Sequence, residues 1–334
     1  MAEQSVQGTR GWHRVFVLGA TGTIGQATVA ALLAADHEVV CLVRSGSERH
    51  LQAVAGHPAL SLRIGNAVDP VSLRRDGLRG ERFSVLVSCL ASRSGVPRDA
   101  WAVDHQAHVE AMAAARECGI GHIVLLSAIC VQKPRLAFQH AKLAFERELI
   151  ASGLVYSIVR PTAYFKSLSG QIGRLRQGKP FLVFGDGQLT ATKPISDQDV
   201  GRFLALCITD EQLHNKVLPV GGPGPAMTPL QQAEALFAAL GRPPRLRRVP
   251  VAMLDVIVRL LDWAGTVSPR LREKAELARI GRYYATESML VWDDAAGRYD
   301  AGATPSFGSE TLQDFYSRLA TGEAEPDRGA HRVF

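Results

Sequence analysis

Three glycines, Gly19, Gly22 and Gly25, lie in Val15-Phe-Val-Leu-Gly-Ala-Thr-Gly-Thr-Ile-Gly25, where an apolar run leads straight into a helix-like stretch. That arrangement suits the pyrophosphate of a dinucleotide. Gly19 lets the chain turn sharply after a strand, Gly22 keeps side-chain atoms away from the phosphates, and Gly25 lets the helix lie close to the strand. The backbone at Thr21, Gly22, Thr23, Ile24 and Gly25 would then offer N–H groups to an anion at a helix N-terminus. A ligand-free strand, turn and helix would carry the same glycines, so the neighbouring chemistry has to decide.

The first neighbouring decision falls after the next strand, at Cys41-Leu-Val-Arg44-Ser-Gly, where Arg44 stands 19 residues beyond Gly25 with no acid before Glu48. An acid here would bind the adenine ribose hydroxyls, whereas a guanidinium can fork onto a 2′-phosphate or stack on adenine. The expected cofactor is therefore NADPH rather than NADH; an ordinary surface arginine is the alternative.

The Gly-x-x-Gly-x-x-Gly spacing resembles that of short-chain and extended short-chain dehydrogenase/reductases. The resemblance implies that Asp69, in Gly65-Asn-Ala-Val-Asp69, accepts the adenine amino group, a role compatible with capping a helix that starts at Pro70. It also implies a Tyr-x-x-x-Lys pair on the helix after the fifth strand. Here that segment reads Phe138-Gln-His-Ala-Lys142. Lys142 can still bind the nicotinamide ribose, but Phe138 has no proton to give. This argues against alcohol–ketone chemistry and fits either hydride delivery to a carbon–carbon double bond or a protein that binds NADPH without turnover. Phe138 as a core aromatic is compatible with both.

Ligands of open α/β sheets lie outside the carboxyl ends of the strands. Ala91 after the fourth strand, Ser127 after the fifth and Pro161 after the sixth should therefore border the nicotinamide. Tyr164, just past Pro161, is a reasonable proton donor; Lys166, His140, Tyr283, Tyr284 and bulk water are others, and only geometry can choose.

The elements that must position these groups alternate through the first half. Apolar runs predict strands over 15–18, 38–43, 60–64, 83–88, 122–126 and 156–159, and helical spacing predicts helices over 23–33, 70–75, 100–118 and 136–152. This is an α/β pattern: a Rossmann-type, doubly wound parallel sheet with a smaller C-terminal substrate-binding region. The expected division is 12–160 for the NADP-binding domain, 161–320 for the C-terminal region folded against the sheet, and 321–334 for a frayed tail. Beyond Pro161, turn-forming glycines and prolines separate helices near 197–207, 229–240, 251–263 and 271–280. The stretch Val249 to Ala264 carries Asp255, Arg259 and Asp262 at one-turn intervals, which makes an amphipathic helix. Core packing is its ordinary explanation, and a wall around an apolar substrate or a membrane-surface contact is the sharper one.

An apolar content of 46% supports a buried core, and a formal net charge of +6 is spread thinly, its densest cluster running from Arg242 to Arg248. A solvated face explains that cluster better than nucleic acid, and no nucleic-acid partner is expected. Five widely spaced cysteines read as reduced thiols, with no protein-bound metal. No apolar run is long enough to span a bilayer, and the short polar stretch before the first strand does not resemble a targeting signal. The expectation is a cytoplasmic protein.

A narrower resemblance begins at Ser88-Cys-Leu-Ala-Ser-Arg-Ser-Gly95. It continues through SAICVQKP (127–134), FQHAKLAFE (138–146), SIVRPTAYFKSLSGQ (157–171), FGDG (184–187), KPIS (193–196), LPVGGPG (218–224) and IGRYYATESMLV (280–291). Over nearly the whole chain the sequence resembles the NADPH-dependent divinyl chlorophyllide a 8-vinyl-reductases of phototrophs. That resemblance implies reduction of the 8-vinyl group of a divinyl chlorophyllide or protochlorophyllide to ethyl. It also implies an apolar slot that involves Phe138, Tyr283 and Tyr284, with Arg93 or Lys166 for the pigment carboxylate, and a location cytoplasmic or loosely peripheral to the photosynthetic membrane. A non-catalytic NADP(H)-binding regulator or assembly factor, or a quinone or isoflavonoid-type reductase, shares the missing tyrosine.

Overall fold

The computed structural model describes residues 11–266 and 268–324. Its centre is a sheet of parallel strands: β1 (Arg14–Leu18), β2 (Glu38–Val43), β3 (Leu60–Ile64), β4 (Val85–Ser88), β5 (His122–Leu126) and β6 (Val155–Pro161). Strand β7 (Phe181–Phe184) lies elsewhere, and β8 (Lys216–Val220) rejoins the sheet to complete the order β3-β2-β1-β4-β5-β6-β8. Strands β1, β2, β4 and β5 are buried almost throughout, which is why they read as unbroken apolar runs.

Alternate residues feed two layers. Val15, Val17, Val39 and Val124 pack on one face with Leu32 and Leu204, while Phe16, Leu18, Val40 and Ile123 pack on the other with Ala114, Phe145 and Leu149. The covering helices are α1 (Thr23–Ala34), α2 (Pro70–Ser72), α3 (Pro97–Ala100), α4 (Ala107–Glu117) and α5 (Ala137–Ala151). Between α3 and α4 the helical path widens into a π-helical stretch, Trp101–Gln106, which leaves Asp104 buried.

The remaining helices are α6 (Phe165–Leu168), α7 (Ile172–Arg176), α8 (Asp197–Thr209), α9 (Pro229–Ala239), α10 (Val251–Gly265), α11 (Pro269–Thr286) and α12 (Leu312–Thr321). A separate core of Phe165, Phe181, Leu236, Phe315 and Tyr316 holds α6, α9 and α12 around β7, which pairs with β9 (Leu246–Val249). A short antiparallel pair, β10 (Val291–Asp293) and β11 (Arg298–Asp300), follows α11.

Two expectations need correction. The division at residues 160 and 161 cuts through the dinucleotide-binding sheet, because α8 packs on α1 and β8 pairs with β6. Strand β8 escaped notice because it contains Pro219, which an edge strand tolerates. The amphipathic stretch near 249–264 is a helix, but its apolar side is not core: only Leu254 and Gly265 are buried. The reason is electrostatic. Asp255 and Asp262 turn toward α11, where they meet Arg282 and Arg279, so the apolar side faces outward. Helix α12 ends where the frayed tail was expected, and residues 325–334 of that tail lie outside the described residues.

The contact between α1 and α8 is backbone to backbone. A Cβ on Gly201 would come within 2.6 Å of the Ala27 carbonyl. Gly201→Val should therefore destabilise the fold by about 2 kcal/mol and lower the thermal midpoint by roughly 4 °C or more; an unchanged midpoint in a melting experiment would contradict this packing.

Candidate active site

The strand order reverses between β1 and β4, and the crevice at their carboxyl ends is where such sheets bind ligands. There Gly19 adopts φ +74°, and a Cβ on it would lie 2.5 Å from the Cys89 carbonyl. A Cβ on Gly25 would lie 2.1 Å from the Gly19 oxygen. These two glycines are required by the protein's own packing. Gly22 is different: its Cβ would meet the Gly19 oxygen at an ordinary contact of 3.5 Å, so the protein's own packing does not demand glycine there.

Gly22 is the N-cap of α1, makes no side-chain capping bond, and no acid occupies the first turn. Helix geometry leaves the N–H groups of Thr23, Ile24 and Gly25 without helical partners. Gln26 Nε2 donates to the Thr21 carbonyl at 3.0 Å and pins the loop. An uncapped helix N-terminus of this kind fits a pyrophosphate.

Arg44 is exposed at the end of β2, and its guanidinium has no partner among the described residues, which leaves it free for a phosphate. Asp69 caps α2 by accepting from Val71 N at 3.0 Å. It is exposed at the carboxyl end of β3, on the side of the sheet where the adenine half is expected.

On the other half of the crevice stands Lys142. Its Nζ lies 3.0 Å from Oδ1 of the buried Asp104, a residue that the sequence reading missed. The same carboxylate accepts from the Ser92 hydroxyl and from Ser92 N at 3.3 Å. Beside it His108 Nδ1 donates to the Val103 carbonyl at 2.9 Å, so its Nε2 accepts from the Ser88 hydroxyl at 2.8 Å. Burial first, and the Lys142 charge second, hold this imidazole neutral and lower its pKa to about 4. The only sequence signal for Asp104 was an acid inside an otherwise apolar-faced helix, and the π-helical turn that buries it is not visible in the spacing.

Cys89, Cys130, Tyr164 and Tyr284 converge on the same region. Lys142 acts electrostatically on Cys89 and Cys130, and Tyr164 interacts with Cys89, Cys130 and Tyr284. The Tyr284 ring is partly exposed, but its hydroxyl reaches inward to Cys130 Sγ at 3.8 Å. Burial raises both tyrosine pKa values, so both hydroxyls stay protonated. It also pushes the Cys89 thiol up to about 11.

Other expected site residues are committed elsewhere. The Tyr283 hydroxyl donates to the carbonyls of Cys130 at 2.9 Å and Lys133 at 3.0 Å, so it fixes the segment after β5 and is spent as a substrate ligand or proton donor. The Ser127 hydroxyl turns inward to the buried Glu146, which also pairs with Arg160. The Lys166 ammonium meets Asp197 at 3.1 Å. Phe138 is half-buried, packing in the cluster that contains Ile280 and Tyr283, and Pro161 is buried at the end of β6. Ala91, Arg93 and His140 are exposed, and Arg93 has no side-chain partner among the described residues.

The C-terminal block 280–291 thus acts as a strap over the segment after β5. Beside the Tyr283 bonds, Gln132 accepts from Trp292 N at 2.9 Å and donates to the Leu290 carbonyl, and Lys133 pairs with Glu287 at 3.1 Å.

The sheet order, the glycine turn and the uncapped helix define a Rossmann-type NAD(P)H-binding protein. The NAD(P)H-binding family model matches residues 19–211. A quinone oxidoreductase of Escherichia coli, solved with NADPH, superposes with a TM-score of 0.66 at 20% identity, covering 91% of this chain and 99% of that one, a likeness of fold alone. The chain is 46% identical over 331 residues to the chloroplastic divinyl chlorophyllide a 8-vinyl-reductase of Oryza sativa subsp. indica, spanning 96% of this chain and 82% of that protein. It belongs to the divinyl chlorophyllide a 8-vinyl-reductase family. Similarity to the photosystem II assembly factor Ycf39 of Synechocystis is weaker, at 26% identity over 92% of this chain and 91% of that one.

Two outcomes follow from this geometry. Arg44→Ala should raise the dissociation constant for NADPH by about ten-fold or more and leave that for NADH nearly unchanged; equal losses in a fluorescence titration would remove Arg44 from the 2′-phosphate. Unfolded His108 binds a proton below about pH 6.5, whereas the folded ring resists protonation to about pH 4. The unfolded state therefore holds more protons in that window, and stability falls as pH drops from 6.5 to 4. Denaturant unfolding of His108→Gln should show a shallower fall than the parent.

Proposed function

We propose that this protein reduces the 8-vinyl group of divinyl chlorophyllide, or divinyl protochlorophyllide, to ethyl during (bacterio)chlorophyll synthesis. The observation that carries this reading is the 46% identity to the rice reductase along almost the entire chain. NADPH, when bound, supplies the hydride. The backbone at Thr21, Gly22, Thr23, Ile24 and Gly25 holds the pyrophosphate, Arg44 the 2′-phosphate and Asp69 the adenine, while Ala91 and Pro161 border the nicotinamide.

Lys142 binds the nicotinamide ribose, and Asp104 keeps its ammonium in position while Ser92 steadies the carboxylate. Phe138 offers an apolar surface where a tyrosine would offer a proton, which suits a carbon–carbon double bond. Negative charge that builds up beside the macrocycle is dispersed through it, so no strong acid is needed at position 138. The Tyr164 hydroxyl, kept protonated by burial, holds the proton for the inner vinyl carbon. Tyr284 extends the aromatic wall toward the solvent, and the unpaired Arg93 takes the pigment carboxylate. The substrate brings its own magnesium.

Among the described residues no helix is long and apolar enough to cross a membrane. The reaction takes place peripherally, at the surface of the pigment-synthesising membrane.

Anaerobic incubation with divinyl chlorophyllide and NADPH should yield the monovinyl pigment, separable by chromatography and marked by a blue-shifted Soret band. Absence of product at saturating cofactor would reject the reading. Tyr164→Phe should lower kcat by about 100-fold while NADPH binding stays the same; an unchanged kcat would hand the proton to water.

A further inference from the structure

Helix α10 is turned inside out. Its acidic residues, Asp255 and Asp262, pair with Arg282 and Arg279 of α11, while Met253, Val256, Ile257, Leu260 and Trp263 form one outward stripe at helical spacing. Leu260 is 62% and Trp263 78% exposed. A stripe that wide and continuous is uncommon on a surface without a partner. The ion pairs set which side of the helix faces outward, and they leave its apolar stripe uncovered.

The charge around the stripe identifies the occupant. Arg259 stands on its flank, and Arg247 and Arg248 precede the helix on β9; all three are exposed and have no side-chain partner among the described residues. The two acids of the helix are neutralised by α11, so the outward side is apolar and cationic with no free negative charge of its own. A second copy docking face to face would bring these arginines against each other. An apolar stripe with a prominent tryptophan, with Arg259 on its flank and exposed arginines on the strand that leads into it, matches the acyl boundary and headgroups of an anionic bilayer.

We infer that α10 is the membrane-docking element: it lies in the plane of an anionic lipid surface, with Met253, Val256, Ile257, Leu260 and Trp263 inserted and Arg247, Arg248 and Arg259 on the headgroups. This rests on the peripheral location proposed above and gives it a surface. Helix α11 packs on α10 and its Tyr283 bonds to the segment after β5, so one helix links the docked surface to the crevice.

The test uses the full chain without pigment or NADPH, in flotation with vesicles of phosphatidylcholine containing phosphatidylglycerol. The protein should float with these vesicles, float less as salt rises, and stay behind with phosphatidylcholine alone. The double variant Leu260→Ser/Trp263→Ser should lose about ten-fold or more of the vesicle-bound fraction, and Arg247→Ser/Arg248→Ser should lose the dependence on phosphatidylglycerol. Both should keep the parent's melting temperature and its turnover of detergent-dispersed divinyl chlorophyllide. Absence of flotation, or equal flotation of the Leu260/Trp263 variant, overturns the inference. So does a dimer in sedimentation that this variant abolishes, which would make the stripe a self-association face, or a loss of detergent-phase turnover, which would make it a pigment wall. Vinyl reduction is read in a separate assay, so failure of docking and failure of the proposed activity are distinguishable.

Discussion

The structure depends on one close approach, between the turn after β1 and the first turn of α1. The Gly19 carbonyl occupies the place where a side chain on Gly25 would begin, and the Cys89 backbone fills the same place for Gly19. Only a chain without Cβ atoms at both positions can bring the first turn of α1 so close to the turn after β1 and to the backbone after β4. Once α1 is seated, its uncapped N-terminus points into the crevice, and the helix dipole and free N–H groups become an anion site. Helix α8 packs on α1 at Gly201, and the chain then adds β8 as the edge of the sheet.

The polar interior on the other half of the crevice works by positioning more than by stabilising. A buried lysine–carboxylate pair gains little net stability, because desolvating two charges offsets most of their attraction. What the Lys142–Asp104 pair provides is a fixed location for an ammonium, and the Ser92 bonds prevent the carboxylate from following other partners. The π-helical turn at Trp101–Gln106 is the backbone feature that permits it, consistent with the frequent occurrence of such turns at functional sites. The neutral His108 beside it keeps a second positive charge away from Lys142.

The C-terminal third is organised by a different balance. Helix α11 sends Ile280 and Tyr283 into the cluster around Cys130 and sends Arg279 and Arg282 to the acids of α10. One helix therefore packs against the segment after β5 and dictates which side of its neighbour faces outward. The quinone oxidoreductase superposes over 91% of this chain at only 20% identity, so the two share a scaffold, and the strap from 280 to 291 is tied to it through the Tyr283 hydroxyl.

Much of this was legible in the residues alone. The apolar runs of β2 and β5 gave strands at their observed limits, because strands buried on a parallel sheet are continuous and bounded by turn residues. The glycine turn is written within one short stretch, Gly19 to Gly25, and backbone requirements that local are what a sequence records. Strand β8 was hidden by Pro219, Asp104 by a helical turn of unusual width, and the spent hydroxyls of Tyr283 and Ser127 by partners far off in the chain. The sequence also established that the 249–264 stretch is two-faced, but not which face looks outward. Only the tertiary structure decided that, because the answer depends on arginines of α11 whose place beside Asp255 and Asp262 exists only once the two helices have packed.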